Sequence, residues 1–431
     1  MRNLLNRVFG NLTDNSWYLV VEIFWASIAA SGLSFVAAYA IRLGASNSAI
    51  SLLSSVPALM AAVLLLPFGH FQQSRARPTR WVMSSLLLAR LGTALYVIIP
   101  WLHVGALPAG VLVVICFSLI TIPSNFFSLG FVPFLAQVLP ENKRADTFAA
   151  RNVVAGVVVS LMAYLYGLWL IHVVFPTNYQ AMFFVALSTS LMSCWYLLKV
   201  KVAEPAPPAP AKVSPEWRTF FKEWLAFFKA AWKVRPFVQI TINTFLYAMG
   251  MWAAGPLLLL YYVRTLGASD AWIGLLTSVT NLAAIFGYLF WQRVIRRVGE
   301  GRTLRWTIIA MGLYPLLAGA IPSLTAILFV AALNGIFTAG VNLTHLNTYL
   351  TAIPEGERHN YTALHQTLMN VGAFICPTIG ILLANQLGFA PVLMGCGALS
   401  ILGAFSFWVW PVGRWAPPLA MPGAAPSRPA K

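Results

Sequence analysis

The chain has 431 residues, of which 59% are hydrophobic and only 9% charged, with a mean hydropathy of +0.76 and a formal net charge of +17. A water-soluble domain carries roughly 25% charged residues, so a soluble globular protein is excluded. Uncharged runs long enough to cross about 30 Å of hydrocarbon indicate a polytopic membrane protein. The basic excess calls for no nucleic acid, because it falls where anionic lipid headgroups would meet it.

In chain order, apolar runs between charged or Pro/Gly-rich breaks predict twelve spans, at 17–41, 48–70, 81–101, 106–137, 149–174, 180–199, 237–263, 270–292, 305–322, 324–352, 361–386 and 389–411. These runs far exceed the roughly 9–11 residues of a membrane β-strand and lack strict alternation, so the expected fold class is all-α. Residues 1–16 form an N-terminal segment, 17–199 a six-span half, 200–236 a linker, 237–411 a second six-span half and 412–431 a tail.

Lysine and arginine accumulate on the cytoplasmic side of membrane proteins. With the N-terminus inside, all of the 28 Lys and Arg fall on that side except Arg42 and Arg264, which lie outside, and Arg90, which lies within the third span. Both termini, the N-terminal segment, the linker and the tail are therefore expected to be cytoplasmic, in a plasma (inner) membrane. No short apolar run ending in small residues marks a cleaved signal. The four cysteines, Cys116, Cys194, Cys376 and Cys396, all fall inside spans with no metal-ligand spacing, so neither a disulfide framework nor a metal is indicated, and no cofactor is expected.

Only two ionisable groups are assigned to the apolar interior, where such groups are costly and usually face a cavity or a partner. Glu22 lies in the first span, within WYLVVEIFWAS, and Arg90 in the third, within LLLARLGTALY. Glu22 admits three readings: a proton carrier with a pKa raised by desolvation, a ligand for cationic substrates, or a structural partner of Arg90. For Arg90 alone the structural reading is preferred.

Between the sixth and seventh spans, AEPAPPAPAK (203–212) is a Pro-rich extended linker. Downstream, Ser214 and Pro215 suit an N-cap and a first helical position. Trp217, Phe221, Trp224 and Phe228 then recur at helical spacing, with Arg218, Lys222, Lys229 and Lys233 mostly on another face. This pattern predicts an amphipathic helix in the cytoplasmic membrane interface.

The stretch LGASNSAISLLSSV (43–56) returns as LGASDAWIGLLTSV (266–279), identical at nine of fourteen positions. Each copy falls at an outer corner, between spans one and two and between spans seven and eight. Gly44 and Gly267 suit the left-handed residue that ends a helix, and Ser46 or Asp270 can cap the next one, so each corner reads as structural. A second echo pairs LPENKRADTFAARN (139–152) with IPEGERHNYTALHQ (353–366). The two halves are thus parallel repeats of six spans, related by an axis along the membrane normal.

Two loops carry the remaining resemblance. GHFQQSRARPTR (69–80) keeps Gly69, Arg75 and Arg77 of a glycine-to-arginine signature, with Gln73 where an acid is usual; QRVIRRVGEGR (292–302) keeps Arg297, Gly299 and Arg302, with Arg296 at that place. With the repeat, these motifs make the chain resemble the major facilitator superfamily over nearly its whole length. The loop bases serve either gating or lipid anchoring. A Gly/Pro pattern, GAFICPTIG (372–380), stands in span eleven and reads as a packing and bending device.

The resemblance implies alternating access, a monomer, and a central path lined by spans one, four, seven and ten. Candidate substrate-binding residues are then Glu22, Trp25 and Ser27; Ser124 and Asn125; Asn243, Tyr247 and Trp252; and Asn334, Thr338, Asn342 and His345. Asn334, Thr338 and His345 recur at one helix face. One acid and no cluster of bases argue against phosphorylated or polycarboxylate cargo and suit a lipophilic, neutral or cationic small molecule. First-span acids recur in the family's multidrug exporters, so the resemblance favours the proton-carrier and ligand readings of Glu22; the expected function is secondary transport of such a molecule, with proton-coupled export as one form of it and protons and membrane lipids as further partners. Lipid flipping or scrambling, or facilitated uptake of a neutral metabolite such as a sugar, is the alternative. No HExxH, Gly-x-Ser-x-Gly or P-loop motif points to an enzyme.

Overall fold

A computed structural model describes residues 13–73, 78–102, 107–201 and 217–414. Twelve helical spans run through it. The first is Asp14–Leu33 continued by Val36–Arg42, the second Asn47–Gln73, the third Pro78–Gly92 continued by Ala94–Ile98, the fourth Ala109–Val138, the fifth Glu141–His172 and the sixth Thr177–Leu198. In the second half they are Arg235–Leu260, Asp270–Val298, Glu300–Ala320, Leu324–Thr351, Arg358–Leu387 and Phe389–Val409. Among the described residues, eleven helical stretches are long and apolar enough to cross a membrane. The ninth span joins them structurally, its composition altered by Glu300, Arg302 and Arg305 in its opening turns.

The packing repeats as the sequence does. Span one lies against spans five and six, and span seven against eleven and twelve; span four lies against two and three, and span ten against eight and nine. The halves meet along two seams, span two on span eleven and span five on span eight, which the internal repeat exchanges with each other. Along the second seam a side chain at Gly274 would collide with the Ala163 carbonyl and lie 3.0 Å from the Gly167 Cα, so the close approach requires glycine. Further along it, Ser278 donates to the Ser160 carbonyl at 2.5 Å.

The corners lie on one face of the bundle, here the corner face; the opposite face holds both ends of the described chain. Gly44 and Gly267 take the left-handed backbone, with φ of +82° and +66°, as the repeat predicts. Ser46 caps span two by accepting from the Ala49 N–H. Span eight is capped by Ser269, not by Asp270 as the sequence suggests; Ser269 accepts from the Trp272 N–H at 3.2 Å.

Asp270 is spent across the interface instead. Arg42 donates to Asp270 Oδ1 and to the Ala268 carbonyl, each at 3.4 Å. Arg264 donates to Asn47 Oδ1 and to the Ala45 carbonyl. Ala45 and Ala268 are equivalent in the repeat, as are Asn47 and Asp270. Each corner is therefore gripped by an arginine of the other half, a use beyond the purely structural reading. Asn47 also donates to Asn385 at 2.7 Å, and Ser55 and Thr378 lie 3.3 Å apart, both across the first seam.

The helix after the linker is Trp217–Ala231. Its Phe227 meets Tyr361 edge-on at 5.1 Å, and Ala231 joins the buried cluster of Phe237, Tyr361 and Leu364. It is thus docked on the second half through spans seven and eleven. The Pro-rich linker, Ser214, Pro215, Arg75 and Arg77 lie outside the described residues.

Candidate functional site

Span five begins at Glu141, so Arg151 stands nearly three turns inside the helix rather than at a membrane face. Charge counting groups it with the cytoplasmic bases; the structure buries it. Arg151 donates to Glu22 Oε2 at 2.7 Å and to the Leu19 carbonyl at 2.5 Å, while Ser193 of span six donates to Glu22 Oε1 at 2.9 Å. Both ion-pair side chains are under a tenth exposed. A buried carboxylate and guanidinium persist because each compensates the other's lost hydration and their remaining atoms are hydrogen-bonded. Glu22 therefore pairs with Arg151, not Arg90, and both its oxygens accept protein donors. The Arg90 Nε atom is buried without a hydrogen-bond partner.

In the second half the corresponding region is uncharged. The second echo places His365 of span eleven where Arg151 stands in span five. His365 Nδ1 lies 3.1 Å from the Thr241 hydroxyl of span seven, and His345 Nε2 of span ten lies 2.8 Å from the Thr244 hydroxyl one turn along. The two imidazole rings are 6.3 Å apart, and the Tyr349 ring is 4.7 Å from His365. These groups border a cavity of about 400 Å³ between spans ten and eleven, also lined by Asn342, Leu346, Thr362 and Gln366. Its rim residues Asn342, Leu346 and Gln366 are exposed.

Of the residues expected from sequence to bind substrate, Asn342 and His345 line this cavity. Thr338 and Asn334 continue the same helix, with the Thr338 hydroxyl on the Asn334 carbonyl at 2.7 Å and the Asn334 Oδ1 buried without a partner. Asn342 donates to the Tyr288 hydroxyl at 3.1 Å. Others are engaged elsewhere. Asn243 donates to the Trp410 carbonyl at 2.8 Å, and the Tyr247 hydroxyl lies 3.2 Å from Met311 Sδ, so both hold the second half together. Trp25 packs edge-on to Phe24, Trp252 packs edge-on to Phe245, Ser27 is buried, and Ser124 bonds the Ile120 carbonyl of its own helix. Asn125 has a buried Nδ2 without a partner. Arg297 and Arg302 are exposed at the junction of spans eight and nine, where Gly299 takes a positive φ.

Sequence reasoning missed His365, Tyr349, Thr241 and Thr244. One signal was present: Tyr349 follows His345 by four residues and extends the polar face of span ten by one turn.

The family model for the Major Facilitator Superfamily matches residues 240–430, which hold the cavity and the second-half repeat. Over that stretch, less than half of the chain, the sequence follows the pattern of that family. Its fold is shared with solved transporters across both halves. A crystal structure of a POT family transporter with a thioalcohol-conjugated peptide superposes with a TM-score of 0.69 at 14% identity, covering 92% of this chain and 95% of that one. The nucleoside transporter NupG gives 0.65 at 13%, with 92% and 99% covered. A bacterial homologue of the iron transporter ferroportin, in its inward-facing state, gives 0.68 at 14%, with 92% and 98% covered. No curated protein matches this chain in sequence.

Proposed function

We propose that the chain is a secondary transporter that moves a small, largely apolar molecule by rocking its halves, caught here with the corner face shut and the opposite face accessible. The observation that carries this reading is the distribution of contacts between the halves. From Arg42–Asp270 through Ser160–Ser278 to the mid-span approach of Gly156 and Ile285, the described contacts lie between the corner face and the middle of the bundle. The cavity of His345 and His365 lies toward the other end. With the basic loops taken as cytoplasmic, this is an inward-facing state.

Glu22 supports proton coupling through its partner. Protonating the carboxylate removes the charge that Arg151 pairs with, and Arg151 rides on span five, which forms the seam with span eight. A proton at Glu22 therefore alters a helix that has to move when the halves rock. Its closure by protein donors favours this role over that of a substrate ligand. A unit charge crossing 100 mV supplies about 2.3 kcal/mol, enough to bias such a cycle.

Proton movement in inside-out vesicles, on adding a panel of lipophilic neutral compounds and cations, tests the reading. Substrate-evoked proton release from native vesicles, absent in Glu22→Gln at equal expression, is the expected result. An identical response from Glu22→Gln removes the coupling role.

A further inference from the structure

The two halves have spent the same position differently. In the first half, the span-five residue is Arg151, and its guanidinium is consumed by Glu22 and the Leu19 carbonyl. In the second half, its counterpart His365 has one nitrogen on Thr241, and His345 has one nitrogen on Thr244. Each imidazole keeps a second nitrogen. The Tyr349 hydroxyl is buried, makes no well-formed hydrogen bond among the described residues and has only the Thr362 hydroxyl for company, although its side chain borders the same cavity. A buried polar group without a partner is unfavourable until something supplies the missing bond.

We infer that the cavity between spans ten and eleven receives the polar end of the cargo, and that this end is an uncharged planar group such as a heterocycle or an amide. The inference deepens the transport reading and rests on it. The side chains lining the cavity include none with a permanent charge. The two buried carboxylates among the described residues are taken, Glu22 by Arg151 and Asp270 by Arg42. A cation entering here would lose hydration without gaining a counter-charge, and an anion would meet no lysine or arginine. An uncharged heteroatom-bearing ring matches what is available: acceptor atoms for the tyrosine hydroxyl, and either polarity for an imidazole nitrogen. The ring faces of His365 and Tyr349 offer stacking, and Val341, Leu346 and Leu350 offer an apolar wall for the rest of the molecule. The volume of about 400 Å³ falls in the range of small-molecule sites.

The test uses purified full-length protein and four probes: nicotinamide and caffeine, uncharged and planar; tetraphenylphosphonium, a lipophilic cation; and benzoate, an anion. Binding is followed by calorimetry and by the shift of the melting transition, for the native chain, Tyr349→Phe and His365→Ala. Saturable binding of a neutral probe is expected, weakened roughly tenfold by Tyr349→Phe, which removes one hydrogen bond and little volume. Preferential binding of the cation or the anion overturns the inference. So does neutral-probe binding that both substitutions leave unchanged, or no binding by any of the four. An unchanged melting transition of Tyr349→Phe without probe shows that the fold is intact. Spin-label distances between the halves report on the transport reading separately. If the halves rock but the neutral probes do not bind, the cavity assignment fails alone. If the probes bind and the halves never rock, the transport reading fails.

Discussion

The Glu22 carboxylate accepts from Arg151 at 2.7 Å and from Ser193 at 2.9 Å, joining spans one, five and six at one buried point. Replacing Glu22 by Gln leaves the guanidinium buried without a counter-charge, a change that costs about 3–5 kcal/mol for such pairs. Thermal melts should show Glu22→Gln strongly destabilised, and Glu22→Gln with Arg151→Met recovering most of the loss, because the double substitution removes both charges. Equal destabilisation by the single and double substitutions would contradict a compensated pair. At this scale the sequence disclosed half of the centre. Glu22 is conspicuous because an acid inside an apolar run has no cheap explanation. Arg151 is hidden because it follows the polar approach LPENKRADTFAA and stands only two residues inside the expected start at 149, so it reads as a span end until the helix is seen to start at Glu141. His365 is hidden in the same way in the second echo, close to the expected start of its span at 361.

Helices meet closely where backbones touch, and the seam of spans five and eight is of this kind. Gly274 packs on Ala163 and Gly167, and Ser278 bonds the Ser160 carbonyl. A leucine at Gly274 has no room, and overpacking of this sort costs about 1–3 kcal/mol. The Gly274→Leu protein should melt earlier than the native one, and its corner face should label faster with a membrane-impermeant thiol reagent at a cysteine introduced at Ser48. Native labelling and melting would mean that the seam is not close-packed in the membrane. Span positions follow directly from apolar runs, because hydrocarbon rewards them in one dimension. Span ends do not: spans five and nine begin at Glu141 and Glu300, where expectation places them at 149 and 305, since water-facing helical turns carry ordinary polar residues. The helix Trp217–Ala231 shows a parallel limit. Its amphipathic face is legible, but that this face meets Tyr361 and Phe237 rather than lipid alone depends on tertiary packing.

Over the whole molecule, the internal repeat accounts for the arrangement of all twelve spans and for both seams, since the main packing relations in one half have their counterparts in the other. It also accounts for the corner grips, in which Arg42 and Arg264 hold equivalent atoms of the opposite corner. Sequence identity at the corners reveals the duplication, but the grip depends on a contact over more than 200 residues that periodicity does not encode. The grips are at the water-facing edge, where Arg42 is itself exposed though Asp270 is buried, and Arg264 holds only neutral acceptors, so neither grip is a fully desolvated ion pair. They therefore suit a latch that holds one state by a small margin and releases. Two closed states separated by a few kcal/mol leave the minor one measurably populated. The direct measurement is a pair of spin-label distances in liposomes, one between cysteines at Ser48 and Gln386 on the corner face, the other between Asn142 and Glu357 on the opposite face. The expected result is a major population with a short corner distance and a long opposite distance, and a minor population with the reverse, enlarged by Arg42→Ala with Arg264→Ala. A single unchanging distance at each pair, insensitive to loss of both arginines, would contradict it.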